Sequence, residues 1–159
     1  VKGAAAAEAA ARLGLVVGID LDSYPSRLAR VNNGTPRPIT VHADMIDDHF
    51  DVVVRFLEQT LRAADWAVGN PAELKHILAR ETLAGISGVE AAYRGDFHRS
   101  LHPDLSPDRV DMLEKQANFL WLHGFLEHRV DVARWIDPRP LDAALARHAG
   151  VARHRAAAR

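Results

Sequence analysis

Nine histidines stand out among the side chains that could do chemistry in this chain. Two of their spacings, His98-x3-His102 and His123-x4-His128, invite a metal ion, with Asp47, Asp48 and His49 as further donors from another segment. A helical metal pair needs both rings on one face of an unbroken helix, and Pro103 follows His102 directly while Gly124 separates His123 from His128. No HExxH pattern is present, so histidines near helix C-termini, where a cation is favoured, explain the spacing better than a metal centre. Nucleophilic catalysis fares no better. The chain has no cysteine, it lacks a G-x-S-x-G elbow, and its serines at 26, 87, 100 and 106 fall in turns or at helix starts. Asp47/Asp48 and Asp20/Asp22 are spaced as helix-start and turn residues rather than as a working acid–base pair. Gly14 and Gly18 do not form GxGxxG, and no nucleotide loop is visible. The expectation is no metal, no cofactor and no catalytic residue in this chain.

What remains is the polar crossover RVNNGTPRPITV. Asn32, Asn33 and Thr35 supply neutral donors beside fixed arginine charge, a set suited to holding a small anion. A well-capped turn explains the same residues equally well.

The elements that would position these groups can be read from periodicity. GAAAAEAAARLGL predicts a short helix with a Glu8 to Arg12 pair and Gly14 in its C′ position. LVVGIDL and ITVHA are β-branched apolar runs, expected as two strands. Val53, Phe56, Leu57, Leu61, Ala64 and Val68 predict one apolar face of a long helix from about Asp51 to Gly69. Asn70-Pro71 predicts the next helix start, Ser87 caps a short helix ending near Tyr93, and Ser106-Pro107 opens a longer one that Gly124 stops. Asp131 caps a turn holding Trp135, and a last helix runs through Leu141, Ala144 and Leu145. The expected class is α/β: about two strands with five to six helices.

Composition narrows the class of function. With 159 residues, 48% of them hydrophobic, and a net charge of -1, the chain can bury a core and offers no strong attraction to nucleic acid. No apolar run approaches the ~18 residues of a membrane span. The opening at Val1, without a charged n-region and apolar h-region, suggests a chain continuing something longer.

The run RVNNGTPRPITVHADMIDDHFDVVVRFLEQTLRAADWAVGNPAEL resembles the hinge strand and following helices of type II periplasmic solute-binding proteins of the nitrate/sulfonate/taurine ABC-transporter kind. YRGDFHRSLHPDLSPDRVDMLEKQANFLWLHGFLEHRVDVARWIDPRPLDAAL is similar to the C-terminal region of those proteins and of the related aromatic sulfinate desulfinases. The resemblance implies the helix-rich C-terminal part of a two-lobed α/β fold that binds its ligand between lobes. Residues 1–41 would end the second lobe and carry the hinge crossover, 42–150 would form helices packing on an absent first lobe, and 151–159 would be a basic tail. Lys2, Gly3 and Ala4 would start a helix facing the cleft, and Asn32, Asn33 and Thr35 would border the hinge, making these six the candidate ligand contacts. The catalytic cysteine, histidine and arginine of a desulfinase would lie in the absent lobe. The expected function is therefore the substrate-binding component of an ABC transporter for a small, sulfonate-like organic anion, with a transporter permease as partner of the full-length protein and the periplasm as its location. Two alternatives are the equivalent part of a desulfinase-like enzyme that cleaves a carbon–sulfur bond, with a cytoplasmic location, and a stand-alone helical interaction domain.

Overall fold

A computed structural model describes residues 3–20, 23 and 37–157, with side chains as far as residue 150. Among these residues there are eight α-helices and one 3-10 turn, and no strand. The helices are α1 (Ala4–Arg12), α2 (Ala43–Asp48), α3 (Phe50–Gly69), α4 (Pro71–Thr82), α5 (Ile86–Ala92), α6 (Pro107–Leu122), α7 (Val132–Trp135) and α8 (Arg139–Ala157), with the 3-10 turn at Phe97–Arg99.

The expected α/β class with two strands is thereby corrected to an all-helical arrangement. The described part of LVVGIDL and the whole of ITVHA lack regular structure up to His42, after which Ala43 opens α2. A strand exists only by pairing with another, and β-branched composition cannot supply the missing ladder. Without that cover Val16 is 91% exposed and Ile19 75%, while Ile39 and Val41 are also exposed. The count of five to six helices was low because His49, with φ -133 and ψ 37, sets α2 apart as a short helix before α3, and because the expected turn at Trp135 is the short helix α7.

The chain divides into two compact units. One comprises Val1–Ile19 with Gln59–His102, the other Asp20–Glu58 with Pro103–Arg159. In the first, α1 packs on α5 and α5 on α4, and the buried apolar side chains are Ala4, Leu61, Ala64, Ala67 and Val89. In the second, α6 packs on α7, and Val54, Leu57, Met112, Val132, Leu141 and Ala144 are buried. Helix α3 contributes its first half to the second unit and its remainder to the first.

The buried stripe of α3 is Val54, Leu57, Leu61, Ala64 and Ala67, a run of 3–4 spacings. It overlaps the predicted face at Leu57, Leu61 and Ala64 and corrects the other three positions, since Phe56 and Val68 are exposed and Val53 is half-buried. Val54 and Ala67 are buried in their place. The stripe was drawn toward bulk, whereas the periodicity accommodates alanine at position 67.

Helix ends follow local chemistry. Gly14, at φ 68, ends α1: its N–H donates to the Ala11 carbonyl and that of Leu15 to the Ala10 carbonyl, the paired bonds of a Schellman cap. Gly124 closes α6 in the same way, with Gly124 N–H on Trp121 O and Phe125 N–H on Leu120 O. Helix α4 makes these bonds with Leu83 at φ 53 instead of a glycine. Pro71 and Pro107 occupy first-turn positions as expected, and the Asp131 carboxylate accepts the Arg134 N–H at 3.2 Å.

Candidate functional site

The polar groups of the first unit gather at the contact of α1 and α5. The Glu8 carboxylate accepts a 2.6 Å hydrogen bond from the backbone N–H of Gly85, 77 residues away in sequence. Gly85 is the N-cap of α5 and no side chain of its own segment caps that helix, so Glu8 takes the place of a local cap. The expected cap at Ser87 is thus displaced: Ser87 lies inside α5, whose first turn begins at Ile86. Helices α1 and α5 approach closely because both present small residues. A Cβ on Gly88 would stand 2.6 Å from the Ala4 carbonyl oxygen and 2.9 Å from Glu8 Cβ. Ala7, Glu8, Ala11 and Arg12 face Ser87 and Ala91 across an open groove of about 320 Å3. Lys75 Nζ donates to Glu90 at 2.9 Å and so ties α4 to α5.

A second polar pair in this unit joins His102 Nε2 to Asp65 Oδ1 at 2.8 Å. Sequence spacing pointed to His102 together with His98. The structure instead places His98 beside Phe97, ring centroids 6.2 Å apart, in an aromatic cluster that Tyr93 extends. The Asp65–His102 pair spans 37 residues, a separation that no local motif announces. His123 ends α6 with its ring 4.0 Å from that of Phe119 and Nδ1 2.9 Å from the Phe119 carbonyl. That is the helix C-terminal role expected from spacing. Among the described residues no group of three His, Asp or Glu side chains is arranged to hold a metal ion.

In the second unit carboxylates and arginines anchor helix ends. Arg147 donates to Asp51 at 2.6 Å, and this bond and the guanidinium charge hold the Asp51 carboxyl below the ordinary aspartate range. Arg139 makes a two-pronged contact with Asp137, with Nη2 to Oδ2 at 2.6 Å, and lies 3.6 Å from Asp47. The Arg139 bonds lower the Asp137 pKa, and the same pairing raises that of Arg139. Partial burial pushes Asp104 upward, but the hydroxyl and N–H of Ser106 and the Arg109 guanidinium outweigh it and leave the carboxyl lowered. Ser106 therefore donates to Asp104, with Oγ at 2.6 Å, rather than capping α6 directly. Asn70 likewise turns back, donating to the Trp66 carbonyl at 2.8 Å and closing α3 rather than opening α4.

Of the six candidate ligand contacts, Lys2, Asn32, Asn33 and Thr35 lie outside the described residues. Gly3 is the N-cap of α1 with φ 89, and Ala4 begins the helix with its side chain buried. The Ala4 carbonyl side is taken up by Gly88. Ala4 thus packs at the helix start, while Gly3 before it is exposed with open space around its Cα.

The chain is 25% identical over 109 residues to the 2'-hydroxybiphenyl-2-sulfinate desulfinases of Rhodococcus erythropolis and Rhodococcus qingshengii. The similarity covers 69% of this chain but 30% of each relative, so the chain spans about a third of the length of these enzymes. No family model matches the chain. No solved structure matches it.

Proposed function

We propose that this chain is a helical portion of a desulfinase-like protein acting on a small organosulfur anion, and that the bond-breaking groups reside outside it. The 109-residue similarity to two sulfinate desulfinases carries this reading. It favours the carbon–sulfur enzyme over the solute-binding component of a transporter, for which neither the similarity nor the helical architecture offers support. In a hydrolytic desulfination, water supplies a proton to the ring carbon and a hydroxide to sulfur, releasing hydrogen sulfite. Such a step needs an activated nucleophile or base at the carbon–sulfur bond. This chain has no cysteine, and its Asp65–His102 pair is a partly exposed surface contact.

Lys2, Gly3, Ala4, Asn32, Asn33 and Thr35 remain the anion contacts of this proposal, Ala4 through its backbone N–H alone because its side chain is buried, with binding completed by polypeptide beyond the chain. Calorimetric titration of the isolated chain with 2'-hydroxybiphenyl-2-sulfinate and with an alkyl sulfonate is expected to give no binding heat at millimolar ligand. Micromolar binding by the chain alone would show that the anion site is complete within it and would refute the division of labour proposed.

A further inference from the structure

We propose that α1 is a releasable strap on α5, held in its docked position by the single carboxylate of Glu8. Three observations converge on this. Of the nine residues of α1 only Ala4 is buried, so most of the helix lies on the surface and contributes methyl groups rather than large apolar side chains to the contact. The seating is steric and narrow, because it requires the bare Cα of Gly88 within reach of the Ala4 carbonyl. Its charged anchor is the 2.6 Å bond from the Gly85 N–H to Glu8 Oε2.

That bond serves both helices at once. It fixes α1 in place and also satisfies the N-terminus of α5, which no nearby side chain caps. Losing it frees α1 and leaves the exposed Gly85 N–H at the start of α5 to water alone, so the first turn of α5 should loosen with α1. Beyond α1 the chain passes into residues 15–19, which form no regular structure and are exposed. Rotation of α1 away from α5 would thus break no ladder on that side, and its packing cost would be the buried Ala4 and the smaller contact with α4. Opening would widen the already open groove that Ser87 and Ala91 line.

Hydrogen exchange on the whole chain, read helix by helix, tests the proposal with Glu8→Gln, Gly88→Ala and the double variant. Glutamine keeps the length and an oxygen acceptor but removes the charge that strengthens the bond. Glu8→Gln is expected to speed exchange of the α1 amides and of the first turn of α5 by about tenfold, with α6 and α8 unchanged. Gly88→Ala is expected to open the same two helices with Glu8 intact, and the double variant to add little to it, since the bond is already broken. A rise of less than about threefold in α1 with Glu8→Gln would overturn the proposal, as would an equal rise in α6 and α8 with that variant or full additivity in the double variant.

Discussion

Gly88→Ala places two physical effects in opposition, and their signs can be separated by a melting curve. Alanine is the better helix former, and in a helix interior the exchange would stabilise by up to about 1 kcal/mol. The new Cβ, however, would lie 2.6 Å from the Ala4 carbonyl oxygen, roughly 0.7 Å inside the shortest comfortable carbon–oxygen contact. The obstacle is backbone, not the end of a flexible side chain, so α1 and α5 must separate. Overpacking of this kind costs about 1–3 kcal/mol, and separation also strains the Glu8–Gly85 bond of 2.6 Å. The steric effect wins, for a net loss of about 1–2 kcal/mol, or about 3–6 °C in melting temperature for a chain of this size. Thermal denaturation followed by circular dichroism at 222 nm would check it. A melting temperature equal to or above that of the wild type would mean that propensity prevails and that the α1–α5 contact is not close.

Leu83→Gly should act in the opposite direction. Leu83 holds a left-handed conformation at φ 53 and ψ 39 and is 91% exposed, so glycine relieves about 1–2 kcal/mol of backbone strain while removing little packing. After the greater chain entropy of glycine, a net gain of about 0.5–1 kcal/mol is expected in urea titration; a lower midpoint would contradict the assignment of the α4 cap. Asp51, Asp104 and Asp137 all have lowered carboxyl pKa values. A lowered folded-state value contributes stability that is complete above about pH 4 and is lost as pH falls through the depressed values. Melting temperature should therefore decline below about pH 4, less steeply in Asp137→Asn, and a rise on acidification to pH 3 would refute the pairing.

Those features of the fold that arise within a few residues were legible in the sequence. The glycine stops at Gly14 and Gly124, the prolines at Pro71 and Pro107 and the aspartate cap at Asp131 each act on the backbone beside them. Features that depend on distant partners were not. LVVGIDL and ITVHA carry strand composition, yet their described residues form no ladder, because pairing is a property of two segments. The cap of α5 could not be found near Ser87, since the group that serves it is Glu8, 77 residues earlier. His102 was noticed for the wrong partner: its ring meets Asp65 rather than His98. Gly88 carries no signal in the sequence, yet its missing Cβ matters for the approach of α1. Of the candidate anion contacts, the sequence marked a polar crossover and a helix start, and only Gly3 and Ala4 fall within the described residues, at the start of α1.

If this chain is, as proposed, a portion of a desulfinase-like protein, the bond-breaking chemistry lies elsewhere in that polypeptide. Sulfite release from 2'-hydroxybiphenyl-2-sulfinate tests it most directly, measured for this chain alone and for the product of the coding sequence extended upstream of Val1. Sulfite is expected from the extended product and none above background from the isolated chain. Sulfite formed by the isolated chain, or an extended product that binds a sulfonate reversibly and releases no sulfite from the sulfinate, would contradict it.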